Sequence, residues 1–322
     1  MIEFNMLIGI SGSGKSSIAN ALTEENISTI ISSDKIREEL FGDESIQGDP
    51  NQVFTLMRNR TVEALSNDIS VIYDATNLVR KNRIATLSYL KNKFKNKDIK
   101  YVCTIVSCPW GQCVERNFSR SRNVPMMVLE HQLESFSIPL YEGWDDIRII
   151  QTGYGDNDKL LAMYLTDLHE LSQKGRYHVE TADIHSFLAN MFAMSGNYSE
   201  RVKRIALYHD IGKSVTITHD RRDDGEVVTH FYGHEHAGAY FYLTTALDGL
   251  CNEDVHKVLR DSFSIQIHDI LKTKNKIINV IDEEMKEDLR QINEIDERAT
   301  TRPKEYYENM ERMDYSESKR ST

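Results

Sequence analysis

Short apolar runs recur through the first half of the chain, at residues 6–10, 29–33, 71–73, 101–107 and 147–151. They are rich in Ile, Val and Tyr and too short for a helix, so each predicts a buried strand. Between them, residues 15–23, 51–67 and 81–93 carry spaced apolar positions on a polar background, the pattern of helices that bury one face. The alternation predicts a parallel sheet with helices on both faces. Such sheets bind ligands beyond the carboxyl ends of their strands. Asp34 and the segment Asp74-Ala75-Thr76-Asn77 fall at that edge.

The pattern changes after Thr152-Gly153-Tyr154-Gly155-Asp156, which reads as a linker with the boundary near residues 153–160. Beyond it the chain is mostly helical in pattern. One exception is Asp223-Asp224-Gly225-Glu226, a turn expected to close a small hairpin or long loop. The reading is therefore two domains, 1–155 and 156–301, with a charged tail at 302–322; no internal repeat is visible.

Apolar residues make up 40% of the 322, enough for two cores, and no apolar run approaches membrane-spanning length. The first strand starts so near Met1 that no signal peptide is expected. Three of the four cysteines, Cys103, Cys108 and Cys113, recur at intervals of five. That spacing suits neither a zinc knuckle nor a disulfide framework, so reduced, buried thiols in a cytoplasmic protein are expected. Net charge is −11; residues 1–160 hold 18 basic and 21 acidic residues, and residues 161–322 hold 21 and 29. This excludes a general nucleic-acid-coating protein but not an enzyme that grips a few phosphates.

Gly9-Ile10-Ser11-Gly12-Ser13-Gly14-Lys15-Ser16 is a complete phosphate-binding loop between a strand and a helix. Gly9, Gly12 and Gly14 let backbone N–H groups converge on a phosphate, and Ser11, Ser13 and Ser17 belong to the same nucleotide-contacting segment. Lys15 supplies a positive charge and Ser16 a hydroxyl for Mg²⁺ bound with ATP. At the next strand end, Asp34 can accept a proton from an attacking hydroxyl, and Arg37 stands one helical turn on. Arg116, Arg120 and Arg122 form a basic cluster; Arg116 and Arg120 are expected on one helix face, as in an arginine-bearing lid over the ATP phosphates.

The stretch from Leu7 to about Tyr141 resembles the phage-type polynucleotide 5′-kinase domain. The matching pieces are the glycine loop, Ser33-Asp34-Lys35-Ile36-Arg37, Ala75-Thr76-Asn77-Leu78, Pro109-Trp110, Arg116-Asn117 with Arg120, and Val124-Pro125. The resemblance implies Asp34 as the general base, Arg37 on the acceptor's neighbouring phosphate and Arg120 as the lid arginine. Where that family often has an acidic residue before Thr-Asn, this chain has Ala75, with Asp74 one place earlier.

In the second half, His209-Asp210-Ile211-Gly212-Lys213 follows an apolar stretch, and His185, His234, His268 and Asp296 lie in helix-like segments. Separate helices delivering one ligand each can build a metal site in a bundle core. These residues resemble the HD phosphohydrolase superfamily, nearest to the HD domains of CCA-adding tRNA nucleotidyltransferases through Phe231-Tyr232-Gly233-His234-Glu235 with Ala237-Gly238-Ala239. The resemblance implies His185, His209, Asp210 and Asp296 around a first metal, His234 and His268 toward a second, and Lys213 on the substrate phosphate. Asp269 is an alternative to Asp296; His178 is not assigned, and would either aid phosphate binding or protonate the leaving group. Mn, Co, Ni, Zn or Mg would suit the site.

The expected architecture is thus an α/β P-loop kinase domain followed by an all-α HD domain. The expected function is RNA end healing: a polynucleotide 5′-kinase joined to a 2′,3′-phosphoesterase, with RNA ends favoured over DNA, no membrane, and an RNA ligase as functional partner. A small-molecule or nucleoside kinase joined to an HD nucleotidase is the alternative. Arg37 with Arg80 or Arg83, as grips for a chain phosphate, would separate the two. The run Lys91, Lys93, Lys95, Lys97 and Lys100 reads as a solvated loop.

Overall fold

The computed structural model describes residues 1–301 except 26–27, 121, 154–156, 174–179, 222–224, 226, 247–251 and 272–275. His178, most of the predicted 223–226 turn, part of the predicted linker and the charged tail therefore lie outside the described residues. Two compact units emerge: Met1–Asn157 with Leu243–Arg260, and Asp158–Tyr242 with Asp261–Thr322. The sequence reading assigns residues 243–260 to the second domain, whereas they group with the first.

The first unit is built on five parallel strands: β1 (Ile2–Ile8), β2 (Ser28–Ser32), β3 (Ser70–Asp74), β4 (Ile99–Ser107) and β5 (Asp146–Gln151), in the order β2-β3-β1-β4-β5. Its helices are α1 (Lys15–Glu25), α2 (Ser33–Phe41), α3 (Pro50–Ser66), α4 (Arg80–Lys93), α5 (Trp110–Phe118) and α6 (Met126–Glu134). Period-two alternation splits the apolar side chains between the faces. Phe4, Met6, Val71 and Tyr73 pack with Val53, Met57, Leu87 and Leu90 of α3 and α4. Leu7 and Ile72 face the other way, onto Ala19 and Leu22 of α1. This is a P-loop kinase fold.

Local chemistry sets the helix ends. The Asp49 carboxylate accepts the Asn51 N–H at the start of α3, where Pro50 needs no N–H partner, and Gly42 ends α2 in the left-handed region. The first strand is offset from its predicted span: it starts at Ile2 and ends at Ile8. Gly9 leaves the sheet because its N–H donates to Thr76 O at 3.1 Å.

The second unit contains α7 (Asn157–Thr166), α8 (Ala182–Ser195), α9 (Glu200–Tyr208), a 3-10 turn at Ile211–Val215, α12 (Ile267–Leu271) and α13 (Glu283–Ala299). Two further helices, α10 (His234–Thr245) and α11 (Asn252–Ile265), start in one unit and end in the other. Its core is helical: Ala182, His185, Ala189 and Ala193 of α8 are buried, as are Ile205 and Ala206 of α9 and Leu289, Ile292 and Ile295 of α13. Ser199 caps α9 and Asp282 caps α13 through backbone N–H groups. The expected hairpin is present as β6 (Ile217–Arg221) paired antiparallel with β7 (Val227–Phe231). No described helix is long and apolar enough to cross a membrane.

Candidate functional sites

The phosphate-binding loop leaves β1 and enters α1. Gly12 (φ +86°) and Gly14 (φ +92°) take left-handed conformations, and a Cβ on Gly12 would collide with the Cys113 carbonyl. Ser11 N–H donates to Gln132 Oε1 at 2.7 Å, and Thr152 Oγ1 donates to Ser13 O at 2.6 Å, so α6 and the end of β5 brace the loop. The Ser13 hydroxyl is buried without a hydrogen-bond partner among the described residues. Burial pushes the Lys15 ammonium down, opposed by the carboxylates of Asp74 and Asp34; its Nζ donates to Ile10 O at 2.9 Å. An orphaned hydroxyl, a folded-back lysine and left-handed glycines suit a triphosphate with Mg²⁺, and the fold implies ATP. Ser16 is exposed at the start of α1.

A cleft of about 530 Å³ opens beside the loop, lined by Gly12, Gly14, Ser17, Ile18, Arg116, Ser119, Arg120 and Thr152. Arg116 and Arg120 both reach it, though not from one helix as predicted. Helix α5 stops at Phe118, because the Asn117 side chain turns to bond the Val124 backbone through both its N–H and its oxygen. Arg120 lies beyond that end and is exposed, while Arg116 donates to Thr152 O at 2.6 Å.

Across the strand ends, Ser32 pairs with Asp74 in the β2–β3 register, and Asp34 lies in the first turn of α2. Arg37 Nη1 donates to Asp34 Oδ1 at 2.7 Å, and Asp34 remains half exposed. Burial raises the Asp74 carboxyl, with Lys15 opposing the shift, the Asp34 charge adding to it and the Ser32 hydroxyl opposing.

The phosphate grip expected from Arg80 or Arg83 is not formed by either. Arg83 is fully buried: it pairs with Glu142 at 2.5 Å and donates to the carbonyls of Asn77, Leu78 and Ser137. Arg80 donates to Leu140 O. Both hold the chain around residues 137–142, since a buried guanidinium must satisfy its five donors internally. The lysine run is likewise occupied: Lys91 donates to Gly143 O, Lys97 to Leu65 and Ser66 carbonyls, and Lys100 pairs with Asp146. Only part of it is loop, because Lys91 and Lys93 end α4 and Lys100 lies in β4. Cys103, Cys108 and Cys113 are buried thiols, none of them in a disulfide among the described residues.

In the second unit, His185 (α8), His209 and Asp210 (after α9) offer ligand atoms within 4.8 Å of one another. Asp296 of α13 joins them: its Oδ1 is 2.8 Å from His185 Nε2 and 3.3 Å from His209 Nε2, and its Oδ2 is 3.5 Å from His268 Nε2. His234, the first residue of α10, has Nε2 3.4 Å from Asp210 Oδ1. Carbonyls can only accept, so two contacts fix tautomers. His209 Nδ1–H donates to Ala206 O at 3.1 Å and His234 Nδ1–H to Phe231 O at 2.8 Å. Each Nε2 then presents a lone pair to the cluster. His234 Nε2 is buried without a hydrogen-bond partner among the described residues.

Charge follows from this arrangement. Burial alone would push His185 down, but hydrogen bonds to Asp296 and Glu180, backed by Asp210, lift it to about 9. Burial pushes His234 down to about 4, and lowers His268 as well. Burial opposes ionised Asp210, yet His209, Lys213, His185 and His234 hold it well below the usual carboxylate range. Imidazole nitrogens facing ionised carboxylates make a donor set that fits a divalent transition metal, with His185 giving up its proton when one binds. Lys213 is buried and pairs with Asp210 Oδ2 at 2.6 Å while donating to Gln173, so in this structure it braces a carboxylate.

Residues 5–139 match the family model described as AAA domain. A chain in a structure of the Pnkp1/Rnl/Hen1 RNA repair complex aligns at 21% identity over 42% of this chain and 43% of that one, with a TM-score of 0.34. A second Pnkp1/Rnl/Hen1 complex aligns at 23% identity over 39% and 41%, with a TM-score of 0.30. A gluconokinase from Sinorhizobium meliloti 1021 aligns at 20% identity over 46% and 82%, with a TM-score of 0.33. The aligned part spans less than half the length of the repair-complex chains. No curated protein matches in a sequence comparison.

Sequence reasoning passes over several residues that shape these sites. Thr152 ties the loop to Arg116, and Gln132 reaches Ser11 from α6. Glu180 stands 3.4 Å behind His185 Nδ1. None carries a motif signal, since each acts through contacts with residues distant in the sequence. Gly212 shows a local signal, standing between His209-Asp210 and Lys213. A Cβ there would collide with the His234 carbonyl, so this glycine lets α10 approach Asp210.

Proposed function

We propose that the chain heals broken RNA ends, with a 5′-hydroxyl kinase in the first unit and a metal-dependent 2′,3′-phosphoesterase in the second. The observation that carries the kinase half is the half-exposed Asp34 carboxylate, held by Arg37 at 2.7 Å and close enough to Lys15 for its charge to oppose the burial that lowers the Lys15 ammonium. Asp34 takes the proton of a 5′-hydroxyl while that oxygen bonds the γ-phosphorus of ATP. The bond to the β-phosphate oxygen breaks and ADP leaves. Lys15 and Arg120 balance charge on the phosphates, and Arg116 with Thr152 holds the cleft wall.

In the second unit, His185, His209, Asp210 and Asp296 would hold a first divalent metal, with His234 and His268 extending the set. A bound metal supplies an activated water and polarises the phosphoryl oxygen. The protein's part is to turn Nε2 of His209 and His234 toward the site through their Nδ1 contacts to backbone carbonyls, and to keep Asp210 ionised through Lys213. Together the two activities would leave a 5′-phosphate and a free 3′-hydroxyl, the ends an RNA ligase joins.

One observation favours a second reading, a small-molecule kinase joined to a nucleotidase: Arg80 and Arg83 are committed to the protein interior, so fewer cations remain for a polymer. The test is a 5′-hydroxyl, 2′,3′-cyclic-phosphate RNA incubated with ATP, Mg²⁺ and Mn²⁺, with Lys15→Ala, Asp34→Ala and Asp210→Ala variants. Labelling of RNA lost in the first two, and end clearance lost only in the third, supports two sites. Labelling of nucleosides but not oligonucleotides would defeat the RNA reading.

A further inference from the structure

We propose that Cys108 and Cys113 form a reversible redox couple beside the phosphate-binding loop: a hydroperoxide oxidises the two thiols to a disulfide, which takes Cys108 off Arg116 and weakens the nucleotide cleft. This couple needs only the P-loop kinase fold and not the RNA reading above. Pro109 is the N-cap of α5, so Cys108 stands just before the cap and Cys113 in the fourth helical position. Side chains at these two places meet across the first turn of a helix, where an apolar pair acts as a staple. Here the pair is two thiols. The Cys113 thiol hydrogen-bonds the Cys108 sulfur, and its own sulfur lies 3.5 Å from the Cys108 carbonyl oxygen. A staple has no use for a cation, yet Arg116 Nη1 donates to Cys108 Sγ at 3.3 Å.

These contacts favour the thiolate, the reactive form of cysteine. The Cys113 hydrogen bond lowers the Cys108 thiol most, burial opposes it, and Arg116 and Thr152 lower it further, to about 7. Cys103, deeper in β4, is the contrast: burial raises its thiol well above the usual range. Arg116 and Thr152 also line the cleft of about 530 Å³, so a molecule little larger than water has a short way from cleft to sulfur. With hydrogen peroxide, the Cys108 thiolate attacks one peroxide oxygen. The S–O bond forms, the O–O bond breaks, and the departing hydroxide takes up the proton the thiol had released. The Cys113 sulfur then attacks the resulting sulfenic acid: the S–S bond forms, the S–O bond breaks, and hydroxide leaves with the Cys113 proton as water. The peroxide gains two electrons and each sulfur loses one. A small thiol reverses the change by exchange. A sulfur bonded to Cys113 carries no charge to hold Arg116. Arg116 Nη2 donates to Thr152 O, Thr152 Oγ1 donates to Ser13 O, and the Cys113 carbonyl abuts Gly12, so both ends of the couple lead into the loop.

The test treats the full chain with hydrogen peroxide, maps disulfides by mass spectrometry and follows ATP affinity by fluorescent nucleotide titration. Cys108→Ser, Cys113→Ser and Cys113→Ala are treated alongside, each compared with its own untreated state. The expected product is a Cys108–Cys113 disulfide, formed more slowly when ATP fills the cleft. Oxidation should lower wild-type ATP affinity by about tenfold, the worth of one hydrogen bond to a charged group, and dithiothreitol should restore it. The three variants should keep their untreated affinity. No disulfide at this pair, or pairing with Cys251 instead, would overturn the couple. A Cys108–Cys113 disulfide that leaves ATP affinity within about twofold of the reduced chain would overturn its hold on the cleft. Variants that lose affinity as wild type does would place the damage elsewhere and overturn it as well. So would oxidised wild type that no longer unfolds cooperatively on heating, since the loss would then be general and not local.

Discussion

His185 and Asp296 are 111 residues apart in the chain, yet His185 Nε2 lies 2.8 Å from Asp296 Oδ1. His209 Nε2 is a lone pair fixed by its Nδ1 contact to Ala206 O, and it lies 3.3 Å from the same His185 nitrogen. The His185 Nε2–H therefore donates into a pocket of acceptors. A cation entering that pocket has to replace the proton.

Metal binding should accordingly release protons. His185 is held charged up to about pH 9 in the metal-free chain, so apparent affinity for Mn²⁺ should rise with pH through neutrality and level off above about 9. The check is calorimetric titration in buffers of different ionisation enthalpy. A proton release of zero between pH 7 and 8 would contradict the assignment.

Asp296→Asn and Asp210→Asn should each weaken Co²⁺ binding by at least about tenfold, since each removes an anionic ligand from a buried site. The cobalt absorption spectrum reports the loss directly. Kinase activity, housed in the other unit, should persist.

Removing Arg83 should act on stability and not on catalysis. The side chains of Arg83 and Glu142 are both fully buried, so Arg83→Ala strands a carboxylate and should cost about 3–5 kcal/mol in urea unfolding. KM for the acceptor in the folded fraction should be unchanged. A large rise in acceptor KM without loss of stability would restore Arg83 as a phosphate grip.

Gly12→Ala should abolish ATP binding, because its φ of +86° and the Cys113 carbonyl both exclude a Cβ. Metal binding in the second unit should survive. Fluorescent nucleotide titration beside cobalt spectroscopy separates the two readouts.

Asp34→Asn should cut kcat by about a hundredfold or more with KM for ATP little changed, the signature of a lost general base. Loss of ATP affinity instead would place Asp34 on the nucleotide side.

Much of this was legible in the sequence. The strands of the first unit, the glycine loop and the adjacency of Asp34 to Arg37 depend on residues within a turn or two of one another. Alternating apolar positions, missing Cβ atoms and i,i+3 spacing act locally, so they survive in a one-dimensional string. The His209-Asp210 doublet is legible for the same reason. Partner choice is different. That Arg83 turns inward to Glu142 while Arg122 reaches Asp34 and Glu44 depends on where the segment at 137–142 and the connection after Gly42 come to rest. One arginine looks like another until packing decides which carboxylate it meets and whether water can reach it. The convergence of His185, Asp210, His234 and Asp296 likewise comes from helices brought together by burial of their apolar faces, a property of the assembled core that no single segment encodes.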